Sequence, residues 1–293
     1  MTVGNEKTTV GFVGLGIMGH SMAGHILAAG YSLHVSNRSR SKADDLVAKG
    51  ARWHDRAGEV AAAADVVITM VGYPRDVEAI YLDSGGIVER VRPGAILIDM
   101  TTSSPELAER IAVAAKRRGV SALDAPVSGG DVGAREARLS IMVGGEPAAF
   151  DEALPILKLM GSNIVRQGGP GAGQHAKLCN QIVVAGTMLG VCEGLAYAKR
   201  SGLDPETVLK SIGAGAAKSV LLDKMGERIL RGDFAPGFFI DHFIKDMSIA
   251  SAEAERLHVE LPALHLARRI YEALAAQGLG REGTQALFKH YES

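Results

Sequence analysis

Val10-Gly-Phe-Val-Gly14-Leu-Gly16-Ile-Met-Gly19 passes from an apolar, β-branched run straight into a helical pattern, Ile17 to Ala29. That context gives each glycine a separate job. Gly14 makes the tight turn, Gly16 lets the backbone approach a pyrophosphate, and Gly19 lets helix and strand pack closely. Gly14, Gly16, Ile17, Met18 and Gly19 would then form a dinucleotide-binding turn. Its phosphates would rest on the helix N-terminus, where free N–H groups and the helix dipole favour negative charge. With 36 glycines in 293 residues, a glycine triplet alone could be a structural turn. The strand before it and the helix after it carry the reading.

The same alternation extends outward to about Arg166. Ser32 to Ser36 reads as strand and Ser41 to Lys49 as helix; Val66 to Met70 and Ile96 to Asp99 are again short and β-branched. Pro74 to Tyr81 and Pro105 to Arg118 read as helices with proline in the first turn. Ala122 to Asp124 and Ser140 to Val143 can extend the sheet. Strand–helix alternation implies right-handed βαβ units and a parallel sheet covered on both faces.

The pattern changes at Gln167-Gly-Gly-Pro-Gly-Ala-Gly173, a glycine-rich joint that suits a domain boundary. Beyond it only helical periods follow: Gln174–Ser201, Asp204–Ile212, Ser219–Arg231, Phe239–Leu257, Pro262–Gln277 and Thr284–Tyr291. Asp204 before Pro205 is a good N-cap and first-turn pair. The expected fold is an α/β Rossmann-type N-terminal domain, residues 1–168, followed by an all-α C-terminal domain, residues 169–293, with a long helix joining them.

Bulk properties narrow the function. A net charge of −1 gives no electrostatic footprint for nucleic acid or an anionic membrane. Cys179 and Cys192 both fall in one apolar helical stretch, which suits free thiols in a reducing compartment. Met1 to Lys7 lacks a basic and apolar leader, and no uninterrupted apolar run reaches the roughly 20 residues of a membrane span. A cytoplasmic protein is expected.

The end of the second strand bears on cofactor choice. An NAD site usually has an acid there for the ribose 2′-hydroxyl, whereas this chain has Asn37-Arg38-Ser39. Arg38 could pair with a 2′-phosphate, with Asn37 and Ser39 adding hydrogen bonds, which favours NADP over NAD. The plain alternative is a solvated arginine. Val71, Thr101 and Thr102 follow later strands and should face the nicotinamide, because ligands bind beyond the carboxyl ends of parallel strands. In Asp124-Ala-Pro-Val-Ser128-Gly129-Gly130, successive backbone N–H groups can form an anion nest for a carboxylate, although a turn would use the same residues.

One polar face remains. In Gly171-Ala-Gly-Gln-His-Ala-Lys177-Leu-Cys-Asn180-Gln181 the spacing places Lys177, Asn180 and Gln181 on one side of a helix. Ile182 to Cys192 is almost entirely apolar, so a lysine at the start of such a helix needs a partner or a job. Taken alone, it would more often be a snorkelling structural lysine. Cys179 has no histidine at a diagnostic spacing. The nine histidines show no ligand spacing, so no metal is expected.

Together these motifs resemble the β-hydroxyacid dehydrogenase family, whose members include 3-hydroxyisobutyrate dehydrogenases and tartronate semialdehyde reductases. The resemblance spans Gly11 to Gly19, Asp124 to Gly130, Met142-Val-Gly-Gly145, Gly171 to Gln181 and Lys245-Asp246-Met247. Asn180-Gln181 and the Ile240 to Asp246 region look most like the tartronate semialdehyde reductase branch. It implies that Lys177 is catalytic, that Ser128, Gly129, Gly130, Asn180 and Gln181 hold the substrate, and that Lys245 and Thr102 reach the cofactor or the site. It implies a small carboxylate substrate, reversible hydride transfer between a hydroxy acid and its semialdehyde, and a homodimer or homotetramer. A catalytically inactive nucleotide-binding scaffold is the alternative. One departure is Ala137-Arg138, where the family often has Gly-Thr.

Overall fold

The computed structural model describes residues 8–292. The strands are β1 (Thr9–Val13), β2 (Ser32–Ser36), β3 (Arg52–Trp53), β4 (Val66–Thr69), β5 (Ile96–Asp99), β6 (Ser121–Asp124), β7 (Val127–Ser128), β8 (Leu139–Gly144) and β9 (Gly161–Gly168). Between them lie α1 (Ile17–Ala28), α2 (Asp44–Ala48), α3 (Ala57–Ala63), α4 (Pro74–Leu82), α5 (Ile87–Arg90), α6 (Pro105–Lys116), α7 (Gly130–Arg135) and α8 (Pro147–Leu157). Then come α9 (Ala172–Arg200), α10 (Pro205–Gly213), α11 (Val220–Leu230), α12 (Ile240–Arg256), α13 (Pro262–Leu274) and α14 (Lys289–Glu292).

The chain forms two compact units, divided between Lys177 and Leu178. In the first, the strands join in the order β3-β2-β1-β4-β5-β6-β8-β7, with β9 on β8. Pairing is parallel from β3 through β6. The parallel sheet is as expected up to that point; β8 then runs antiparallel to β6 and β7. β3, β7 and β9 are additions to the expected strands. The strand order reverses between β1 and β4, and at such a switch point a crevice opens beyond the strand ends.

Alternation along the strands supplies two faces. Val10, Phe12, Val66, Ile68, Ile96 and Ile98 enter one apolar cluster with Met22 and Ile26 of α1. Val13, Val67 and Leu97 enter another, with Val60 of α3, Tyr81 of α4 and Ile111 of α6. Helices therefore cover both faces. At Gly11 a Cβ would lie 2.4 Å from Val60 Cγ1, so α3 lies directly on β1.

The second unit is built from helices. Its core joins Met188, Cys192 and Leu195 of α9 to Ile229, Phe243, Met247, Leu264 and Tyr271. Asp204 caps α10 through Thr207 N–H, 3.0 Å away, and Ser219 caps α11 through Leu222 N–H. Thr284–Phe288 is a 3-10 helix rather than the expected α-helix. α9 itself is long and apolar enough to cross a membrane by length and composition, although its sequence is interrupted by glycines, Thr187 and Glu193. A helix packed into a globular core meets the same description.

Candidate active site

The glycine turn has the geometry its spacing predicts. Gly14 has φ +99°, and a Cβ there would lie 2.2 Å from Met70 O. A Cβ on Gly19 would lie 2.0 Å from Gly14 O, so only glycine lets α1 start this close to the turn. Apart from its neighbours along the chain, no atom of the described residues comes within 4 Å of where a Gly16 Cβ would be, which leaves room for a ligand to meet the backbone. Ile17 is exposed and Met18 half-buried at the same turn. Asn37 anchors the turn from β2: its Oδ1 accepts from Leu15 N–H at 3.0 Å and its Nδ2 donates to Ser39 O. Both ends of that amide are therefore engaged within the protein. Arg38 lies open, with its side chain 88% exposed and 3.5 Å from Asp76 Oδ1.

The loops after β4, β5 and β6 are bonded to one another. Val71 N–H donates to Thr101 Oγ1, and Thr101 N–H donates to Asp99 Oδ1. Thr69 Oγ1 also donates to Asp99 Oδ1, at 2.8 Å, and lies 3.0 Å from the Tyr81 hydroxyl. Burial first, and the Asp99 carboxylate second, push that phenol well above its ordinary range. Thr101 is buried and Thr102 half-buried. Thr101 thus braces the loops, and Thr102 is the more accessible of the two.

Ser128 is half-buried on β7, followed by Gly129 at φ +134° and Gly130 at φ +63°. A Cβ on Gly129 would lie 3.2 Å from Leu139 Cδ2. Beside this loop, His25 of α1 shares a 2.9 Å hydrogen bond with Ala134 O of α7, tying the dinucleotide helix to the segment after Gly130. Arg138 lies on the surface, paired with Glu136.

The first turn of α9 is fastened to the same strand ends. Asp124 accepts N–H bonds from Gly171 at Oδ1 and from Gln174 at Oδ2, both at 2.8 Å. Gln174 Oε1 accepts from Ser103 N–H at 2.9 Å, and its Nε2 donates to Thr101 O at 2.8 Å. Lys177, 7% exposed, follows one turn later. The roles of Asp124 and Gln174 are not separable from their motifs by sequence alone; the signal was polar residues at a strand end and in a helix otherwise packed as core.

In the second unit a polar chain runs along buried ground. Asn180 Nδ2 donates to Gln181 Oε1 at 2.7 Å, and Gln181 Nε2 donates to Asp246 Oδ2 at 2.6 Å. Lys245 Nζ stands 3.0 Å from Asp246 Oδ1, a charge contact outside hydrogen-bonding angles. His242, on the same helix, is held below its usual range by burial and then by Lys245. Gln181 therefore orients Asn180, and its side chain is buried. Cys179 is exposed and Cys192 buried, both as free thiols. Among the described residues, no group of three or more His, Cys, Asp or Glu could hold a metal.

Residues 9–169 match the family model described as the NAD binding domain of 6-phosphogluconate dehydrogenase. Residues 171–291 match the NAD-binding model of NADP-dependent 3-hydroxyisobutyrate dehydrogenase. The chain belongs to the β-hydroxyacid dehydrogenase family. This dehydrogenase is 38% identical to the 2-hydroxy-3-oxopropionate reductase of Escherichia coli, over 97% of each chain. It is 55% identical to an uncharacterised oxidoreductase of Bacillus subtilis, over 97% of this chain and 98% of that protein. It superposes on the Mycobacterium tuberculosis 3-hydroxyisobutyrate dehydrogenase solved with L-serine with a TM-score of 0.90, at 30% identity, covering 98% of this chain and 99% of that one. It is accordingly an NAD(P)-dependent enzyme acting on a hydroxy acid or its oxo counterpart.

Proposed function

We propose that this dehydrogenase reduces a short carboxylate-bearing semialdehyde, with NADPH preferred and Lys177 as the general acid. The observation that carries the reading is a buried lysine, 7% exposed, on a helix turn hydrogen-bonded to the β5 and β6 strand ends. Those strand ends belong to the sheet that presents the glycine turn. The fit of a dinucleotide is supported by the open space at Gly16 and the positive φ of Gly14.

A bound nicotinamide supplies the hydride. The chain supplies position and protons. The backbone at Ser128, Gly129 and Gly130 receives the substrate carboxylate, and Asn180, aimed by Gln181, hydrogen-bonds its hydroxyl or carboxylate. The Lys177 ammonium gives a proton to the carbonyl oxygen as negative charge develops there; in the reverse direction the neutral amine takes it back. General acid help of this kind typically contributes about 10² to 10⁴ in rate. Arg38 favours a 2′-phosphate because its side chain is 88% exposed and its contact with Asp76 is loose, at 3.5 Å. Such a pair is worth little in water and yields readily to a bidentate phosphate contact.

The relative acting on 2-hydroxy-3-oxopropionate, which is tartronate semialdehyde, puts that compound first in a test panel. Methylmalonate semialdehyde, succinic semialdehyde and glyoxylate complete it, each with NADPH and NADH. Turnover of at least one with higher kcat/KM for NADPH is expected; activity on none, or a clear NADH preference, overturns the corresponding part. Lys177→Ala should bind NADPH normally and lose kcat by about 10² or more. Near-native kcat in that variant removes the lysine from the mechanism.

A further inference from the structure

α9 begins without a local cap. Helices ordinarily take one from a Ser, Thr, Asp or Asn just before the first turn, but this one is preceded by Gly168-Gly-Pro-Gly171, which has no side chain able to accept an N–H bond. The acceptor comes instead from the end of β6. The two Asp124 oxygens take the N–H groups of Gly171 and Gln174, each at 2.8 Å. Space is cleared for this approach. A Cβ on Gly144 would lie 2.4 Å from Asp124 Oδ1, and one on Gly173 would lie 2.4 Å from Asp124 O and 2.5 Å from Met142 O. The glycines of β8 and of the α9 start are therefore explained by one packing event. Gln174, fully buried, then binds the backbone on both sides of Thr102.

We infer that Asp124 and Gln174 are positioning residues for Lys177: the imported carboxylate cap and the glutamine clamp fix the helical turn from which the amine projects. The inference rests on the catalytic reading of Lys177 above. Lys177 lies three residues past Gln174, so slack in the first turn is transmitted to Nζ. A misplacement of about 1 Å at a reacting group can cost 10²-fold in rate.

An ionised carboxylate accepts more strongly at both oxygens than a neutral carboxyl does at its hydroxyl. Burial, and to a smaller degree Asp99 on β5, pushes the Asp124 carboxyl up to about 6. Other titratable groups stand around it. Tyr81 of α4 lines a cavity of about 10 Å³ shared with Asp99 and Asp124. Glu109 of α6 abuts Gly171, Arg166 of β9 donates to Gly145 O, and α9 carries His175 and Lys177. Below about pH 6 one Asp124 oxygen becomes a hydroxyl, and the N–H bond it accepts loses its charge assistance. Acidification should therefore loosen the turn while leaving the fold intact.

The test compares native enzyme, Asp124→Asn, Gln174→Leu and Lys177→Ala with NADPH and tartronate semialdehyde, or the panel member turned over fastest. Native kcat should fall between pH 7.5 and 5 with Tm not lowered. Both latch variants should lose kcat about tenfold or more at pH 7.5 while binding NADPH within about twofold of native, and Asp124→Asn should lack the acid limb. Native kcat in the latch variants, or an acid limb that persists in Asp124→Asn, overturns the inference while Lys177 stands. Full turnover by Lys177→Ala instead overturns the catalytic reading. Amide exchange across residues 171–177 needs no substrate and covers the case of an unfolded variant or an inactive panel. Exchange in the native chain should slow less from pH 7.5 to 5 than intrinsic exchange does, so that protection falls, and protection that stays constant overturns the cap.

Discussion

Ala137 holds φ +53° between α7 and β8. That left-handed region costs an L-residue roughly 1–2 kcal/mol and glycine almost nothing. Glycine is what the family often has at this position, so the departure noted in the sequence carries a backbone strain. Arg138 beside it is paired with Glu136 on the surface. Ala137→Gly should raise stability by about 0.5–1 kcal/mol, after the larger unfolded-state entropy of glycine is counted. Urea unfolding would register it as a higher midpoint at unchanged slope, with kcat unaltered. Asn37 shows the limit of reading single residues. Its place at the end of β2 pointed to a phosphate ligand, whereas its amide holds the glycine turn through Leu15 N–H. A sequence shows which polar groups are near a site, not which of their hydrogen bonds the protein already uses.

At the level of elements, legibility followed burial. β1, β4 and β5 are buried on both faces, and strands of that kind leave continuous apolar runs that stand out. β9 is an edge strand with mostly exposed side chains, and β3 and β7 have two residues each. None carries a periodic signal, because no buried face selects one. The helical half was legible almost to its boundaries, since each amphipathic helix has a core side. The Asp124 cap was hidden because its partners are 47 and 50 residues away. It has a thermodynamic consequence with a definite sign. Its folded carboxyl lies near 6 against 3.8 unfolded, so the folded state holds the proton more tightly. The associated stability is full below about pH 3.8 and is lost as pH rises through about 6. That is at most about 3 kcal/mol for 2.2 units at 1.36 kcal/mol each. Asp124→Asn cannot titrate, so native stability should gain on that of the variant as pH falls from 7.5 to 4. Denaturant midpoints at the two pH values would measure it, and a gap that stays constant or moves the other way would show that the carboxyl is not raised.

For the molecule as a whole, the question left by a single chain is what covers the outer face of α9. Val183 and Tyr197 are 66% and 74% exposed there. Gly186, Gly190 and Gly194 lie between them, and a Cβ at any of the three would meet nothing within 4 Å. Further apolar side chains stand open in the same unit at Leu203 and Val220, 54% and 68% exposed. Isolated exposed apolar residues are ordinary, but two of them on one helix with three glycines between make a surface that gains by being covered. A homodimer or homotetramer is the expected state, the helical unit supplying the contact. A like chain is the simplest partner because closed symmetric assemblies pair identical patches. Tyr197→Glu puts a charge into that face on an exposed side chain, so the folded chain should tolerate it. Light scattering on the native protein should give a multiple of 30.7 kDa, and the variant should dissociate toward the single-chain mass. A native protein that scatters as one chain at all concentrations would leave the α9 face uncovered and remove the oligomer from the account.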